Sequence, residues 1–265
     1  MSALADVFAG CRAEGRAALV TYFTAGFPDN TTSREAMTAL VESGADIVEV
    51  GVPYTDPLMD GPVIQDAADR ALAAGFHVRD LLGNVEAVAS AGAVPVVMSY
   101  WNPILRYGPE AFARDLAAAG GAGLITPDLI PDEAAEWRAA ADAHGVASIF
   151  LVAPSSTDAR LALTAAACRG FVYAASTMGV TGARTSVGSG ARDLVARTRA
   201  VTDLPICVGL GVSTREQAAE VASFADGVIV GSALVRALGE GVASGNGTTA
   251  LRELTAQLAE GVRAA

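Results

Sequence analysis

The sequence predicts an α/β chain folded as one (β/α)8 barrel, a TIM barrel with parallel strands, on the strength of two observations. Eight short apolar runs alternate with longer amphipathic segments over all 265 residues, and a hydrophobic content of 52% is ample for a large core. Parallel strands need crossovers of the length these amphipathic segments provide, and eight is the count at which such a sheet closes on itself. No Pro/Ser-rich linker divides the chain, so residues 1–265 read as one domain. A doubly wound open sheet is the competing arrangement.

The expected strands, in order, are Ala18–Thr24, 47–52, 95–100, 123–126, 147–152, 171–174, 205–209 and Gly227–Val230. Each is a short apolar run of strand length. The Ala-, Glu- and Arg-bearing segments 33–42, 63–73, 132–143 and 214–223 suit helices, and another helix is expected to begin at Ser232. No stretch reaches the ~18 uninterrupted apolar residues of a membrane span. The N-terminus lacks the basic start and compact apolar block of a secretion signal, so a cytoplasmic location is expected.

Composition excludes several chemistries. All eighteen basic residues are arginine, which removes Schiff-base catalysis, covalent pyridoxal phosphate and a P-loop lysine. The only histidines, His77 and His144, lie far apart in sequence, which argues against a multi-histidine metal site and against a serine-histidine triad. His144 precedes Gly145 and reads as a helix-end residue. Cys11, Cys168 and Cys207 are widely spaced and read as reduced thiols in or beside the core. A net charge of −11 argues against nucleic acid as a partner. Carboxylates and backbone groups are left to carry any catalysis.

Glu49 stands inside the apolar run Ile47-Val48-Glu49-Val50-Gly51-Val52, where a charge is costly unless it is paired or used. Strand alternation sends Ile47, Glu49 and Gly51 to one side. Eleven residues on, Asp60 lies in the following loop. Two acids at one strand end suit acid-base chemistry; the plainer alternative for Glu49 is a buried acid satisfied by backbone N–H groups. The segment after the sixth run, residues 175–185, is rich in Gly, Ser and Thr, a composition suited to a lid. The seventh and eighth runs end in Gly209-Leu210-Gly211 and Gly231-Ser232, where glycines and a helix start suit a phosphate.

Assembled in this order, the segments resemble the tryptophan synthase alpha-subunit family. The resemblance rests on Tyr22-Phe23-Thr24-Ala25-Gly26, on the run from Val48 through Glu49 and Asp60 to Pro62, on Tyr100-Trp101-Asn102-Pro103, on Pro127-Asp128-Leu129, on Gly179-Val180-Thr181-Gly182 and on the two phosphate loops. It implies retro-aldol cleavage of indole-3-glycerol phosphate to indole and glyceraldehyde 3-phosphate. By this similarity Glu49 is the general acid/base and Asp60 meets the indole N–H. Tyr173 lies beside Glu49, Thr181 reaches Asp60, and Tyr22, Met98, Ile125 and Leu210 line the indole pocket. Gly182, Gly211, Gly231 and Ser232 complete the substrate site. Tyr22 and Leu210 stand where well-known members carry phenylalanine.

The resemblance further implies a beta-subunit partner that holds pyridoxal phosphate and receives indole, in an alpha2-beta2 assembly, with Pro53, Asp56, Asn102 and Pro131 at the interface. No cofactor is expected in this chain. A stand-alone lyase releasing free indole, and a silent barrel that regulates a partner, are the competing functions.

Overall fold

The computed structural model of the chain describes residues 2–175, 189–209 and 211–264. Nine parallel strands form the sheet: β1 (Ala18–Thr24), β2 (Ile47–Gly51), β3 (Val94–Met98), β4 (Gly123–Ile125), β5 (Ala147–Ile149), β6 (Leu151–Val152), β7 (Val172–Ala175), β8 (Ile206–Gly209) and β9 (Gly227–Val230). Their order is β5-β4-β3-β2-β1-β9-β8-β7-β6, so the two ends of the sheet are consecutive in the chain and separated only by Phe150. The Ile149 carbonyl accepts from Thr126 N–H at 3.3 Å on one side, and the Phe150 carbonyl accepts from Tyr173 N–H at 3.2 Å on the other. The sheet thus closes into the expected barrel, with β5 and β6 sharing one stave. The single fifth strand expected over 147–152 is split because its two halves pair with different neighbours.

Helices alternate with the strands. The segment expected over 33–42 starts earlier, at Asn30, because the Asp29 carboxylate accepts from the backbone N–H of Thr31 and Thr32, both at 2.9 Å. The helix expected over 132–143 starts later, at Ala135, after a turn in which Ala134 N–H reaches the Pro131 carbonyl at 3.3 Å. His144 ends that helix as expected, with Nε2 2.6 Å from the Glu110 carboxylate. A helix does begin at Ser232. Among the described residues no helix is long and apolar enough to cross a membrane.

Alternation along the strands divides the core in two. Leu19, Phe23, Val48, Val50, Val97, Leu124, Val208 and Val228 face the surrounding helices. Val20, Ile47, Val96, Ile125, Ile149, Cys207 and Ile229 fill the barrel interior. At the amino-terminal mouth the helix Ala3–Ala13 caps this inner cluster with Leu4, Phe8 and Cys11, and Phe8 meets Phe171 edge-on at 5.9 Å. Cys11, Cys168 and Cys207 are free and buried, as expected. With the amino end plugged, a binding cavity belongs at the carboxyl ends of the strands.

The plugged end carries a polar clamp. Arg16 forms a bidentate pair with Asp46, at 2.8 and 2.9 Å, and Asp46 also accepts from Leu19 N–H at 2.8 Å. The side chains are only 11% and 15% exposed. Arg16→Ala strands a mostly buried carboxylate, so a loss of about 2–4 kcal/mol is expected. Urea unfolding should show a lower midpoint with unchanged slope, and turnover in the folded fraction should stay at the wild-type level. A stability change below about 0.5 kcal/mol would mean that the clamp adds nothing beyond an exposed ion pair.

Candidate active site

Glu49 sits at the centre of β2 and points into the barrel. It is fully buried, and neither carboxyl oxygen has a hydrogen-bond partner among the described residues. The alternative reading, an acid satisfied by backbone N–H groups, therefore fails: the strand N–H groups are spent on the ladder to β1 and β3. With no described group to stabilise the anion, burial pushes the carboxyl up to about 8 from an ordinary 4.5. At neutral pH Glu49 holds a proton and is poised to exchange it.

Asp60 reaches the same mouth from the loop after β2. Its Oδ1 accepts a hydrogen bond from the Tyr100 hydroxyl at 2.9 Å, and that hydroxyl accepts from Met59 N–H at 3.1 Å. Gln65 Nε2 holds the Asp60 backbone carbonyl at 2.7 Å. Burial raises the Asp60 carboxyl above its ordinary value, while the Tyr100 hydrogen bond opposes the shift. The two acids thus differ in kind. One is dry and without donors among the described residues, and the other is half-buried and held by a phenol.

Two tyrosines complete the wall. Tyr22 on β1 lies opposite Glu49 in the strand register. Tyr173 enters from β7, and after burial itself the charge of Glu49 is the largest influence raising its phenol. Glycines make room for both rings. A Cβ on Gly209 would lie 2.7 Å from the Tyr173 hydroxyl, and one on Gly51 would overlap the Tyr22 ring. Met98 is half-buried at the end of β3, and Ile125 at the end of β4 is completely buried in the inner cluster.

The expected phosphate loops flank these walls. Gly211 has φ +70°, a conformation that requires glycine. The helix Ser232–Ala243 follows Gly231 with no side-chain cap, which leaves its first N–H groups and positive end free for an anion. Thr181, Gly182 and Leu210 lie outside the described residues, as does most of the segment 175–185.

Sequence reasoning missed how the outer loops are tied together. Asn102 Nδ2 donates to the Tyr54 hydroxyl at 3.1 Å, and the Tyr54 and Tyr100 rings pack at 5.5 Å. Trp101 N–H donates to the Asp128 carboxylate at 2.8 Å. These contacts link the segments after β2, β3 and β4, which carry Asp56, Asn102 and Pro131; Pro53 is buried beneath them. The same segments expose Leu58, Leu105 and Ile130, at 74%, 49% and 46%. Apolar side chains so exposed on these linked segments mark a surface suited to a partner.

Comparison with known proteins agrees over almost the whole chain. The family model described as tryptophan synthase alpha chain matches residues 8–263. The tryptophan synthase alpha chain of Mycobacterium ulcerans (strain Agy99) is 66% identical over 262 residues, covering 99% of this chain and 95% of the relative. A solved chain of Mycobacterium tuberculosis tryptophan synthase superposes with a TM-score of 0.94 at 62% identity, covering 99% of this chain and 98% of the other. The alpha subunit from Legionella pneumophila str. Paris superposes at 0.88 with 33% identity, covering 99% and 97%. An acid on β2, a second on the loop behind it, and agreement from end to end leave one assignment: the chain belongs to the tryptophan synthase alpha-chain family.

Proposed function

We propose that residues 1–265 form one domain that cleaves indole-3-glycerol phosphate to indole and glyceraldehyde 3-phosphate. The observation that carries this reading is the fully buried Glu49 carboxyl, without a hydrogen-bond partner among the described residues and raised to about 8. Neutral Glu49 gives its proton to indole C3, which places positive charge on the ring nitrogen. Asp60, as carboxylate, stabilises that charge through the indole N–H. The Glu49 carboxylate then takes the proton of the glycerol hydroxyl. The carbonyl of the aldehyde forms, the carbon–carbon bond breaks, and its electrons restore the indole ring.

The phosphate is assigned to Gly211 and to the helix starting at Ser232, with Gly231 beside it. Anion binding by backbone dipoles suits a protein of net charge −11. Tyr22, Met98, Ile125 and Leu210 are assigned to the indole pocket, Tyr173 to the side of Glu49, and Thr181 and Gly182 to the lid. Indole passes to a beta subunit that carries pyridoxal phosphate, in a cytoplasmic alpha2-beta2 assembly. Support for the partner comes from exposed Leu58, Leu105 and Ile130 on the linked loops that bear Asp56, Asn102 and Pro131.

Indole release by the purified chain, alone and with a beta subunit, tests this reading. Slow cleavage alone and faster cleavage in the complex are expected, because partner contact sets the loop that holds Asp60. Chelator should leave the rate unchanged, and borohydride should trap no imine, since the chain has no lysine. Full activity alone, unchanged by the partner, would identify a stand-alone lyase. No cleavage in either state would leave only a regulatory barrel.

A further inference from the structure

Among the polar groups of the inner wall that the proposed reaction has not used is the hydroxyl of Tyr22. The Tyr22 ring is wedged at the barrel mouth. A Cβ on Gly231 would lie 3.2 Å from the Tyr22 Cβ, and a Cβ on Gly51 would overlap the phenol end of the ring. The ring therefore has a fixed direction, with its hydroxyl over Gly51. Gly51 is the next inward position of β2 after Glu49, and β2 leads from there into the loop of Asp60. The hydroxyl consequently sits on the path between the two acids.

Its proton is not committed to a strong acceptor. The hydrogen bond of this hydroxyl among the described residues is with Thr24 Oγ1, at 3.4 Å, long for a pair of hydroxyls. Asp60, for its part, is held through one oxygen. Oδ1 accepts from Tyr100, while Oδ2 takes no hydrogen bond from any described residue. Among the described residues the titratable groups facing this region are Glu49 on β2, Tyr22 on β1, Tyr100 after β3 and Tyr173 on β7. Burial and then the charge of Asp60 are the two largest influences on the Tyr22 phenol, ahead of Glu49. Among the described residues no arginine contributes to the shift at Asp60, and the hydrogen bond that lowers it comes from a hydroxyl, that of Tyr100.

We propose that Tyr22 is a positioning residue for Asp60, its hydroxyl donating to Oδ2 of the ionised carboxylate when substrate occupies the site. With Tyr100 on Oδ1 and Tyr22 on Oδ2, the carboxylate is fixed from both sides and turned toward the indole N–H. No proton is transferred by Tyr22; burial keeps its phenol protonated throughout the pH range of turnover. This role rests on the proposed cleavage reaction and adds to the apolar contact that the ring makes with indole.

The test is Tyr22→Phe, which removes the hydroxyl and keeps the ring, measured with indole-3-glycerol phosphate in the complex with the beta subunit. The expected loss is about ten- to hundredfold in kcat/KM, the effect of losing one hydrogen bond to a charged group, carried mainly by kcat. Removing a donor to the anion raises the pKa of Asp60 in the substrate complex, so the acid limb of the kcat profile should move to higher pH by up to about one pH unit. In an Asp60→Asn background the same change should cost little more, because the group through which Tyr22 acts is already altered. An unmoved acid limb, or losses that simply add, would overturn the role and leave Tyr22 as apolar wall. Failure of the wild-type complex to cleave the substrate would instead sink the proposed reaction, so the two outcomes are separable.

Discussion

Glu49→Gln should fold, bind phosphate and yet lose at least the roughly 10²–10⁴-fold in turnover that removal of a general acid/base costs. The amide has nearly the shape of the acid and can donate and accept hydrogen bonds, but it cannot carry a proton. The wild-type carboxyl has no hydrogen-bond partner among the described residues, so the amide breaks no described contact. Stability should move in a direction that depends on pH. The folded carboxyl is raised to about 8 from 4.5, so the native state binds more protons than the unfolded state between those values. Wild-type stability is therefore whole below 4.5 and declines as pH rises toward 8, because ionisation must occur in a dry site. Glu49→Gln does not ionise, so its melting temperature should gain on wild type between pH 5 and pH 8.5. A folded variant that keeps more than about a tenth of wild-type turnover would remove Glu49 from the role of proton carrier.

Asp60→Asn is expected to lose about 10²-fold or more in kcat, with a smaller change in KM. The carboxylate acts on charge that develops on the ring nitrogen only as C3 is protonated, so its loss is felt chiefly in the transition state. The amide can keep the Tyr100 hydrogen bond through its oxygen, and Gln65 holds the backbone carbonyl in either case, so the loop should remain in place. An indole-3-glycerol phosphate analogue methylated at the ring nitrogen distinguishes stabilisation through the N–H hydrogen bond from packing. It lacks the N–H, so wild type and Asp60→Asn should handle it at similar slow rates. Wild type retaining its full advantage on the methylated substrate would place the action of Asp60 elsewhere.

The barrel was largely legible because its strands are short apolar runs with clear ends, and two of them, Ala18–Thr24 and Gly227–Val230, have the expected bounds. The break at Phe150 was not legible. It arises from closure of the sheet, in which successive carbonyls turn to opposite neighbours, and the apolar run through 147–152 carries no trace of it. Helix starts missed by three residues where a cap or a turn overrode composition, at Asp29 and at Pro131–Ala134. Glu49 stood out because a charge in a buried strand is rare, yet the sequence left open whether N–H groups would satisfy it. Only the spent strand ladder answers that. The phenol that holds Asp60 comes from Tyr100, forty residues away, and no local pattern announces such a pairing. Exposure of Leu58, Leu105 and Ile130 is likewise a property of the folded surface.

The claim on which the rest depends is that the Glu49 carboxyl is neutral at physiological pH and loses its proton only near 8. Infrared difference spectra of wild type against Glu49→Gln, titrated from pH 5 to pH 9.5, read that proton directly. A protonated-carboxyl C=O band belonging to Glu49 should be present at pH 6.5 and fade with a midpoint of about 8, as carboxylate bands rise. Absence of the band at pH 6.5, with a midpoint near the ordinary 4.5, would show an ionised acid and contradict the account.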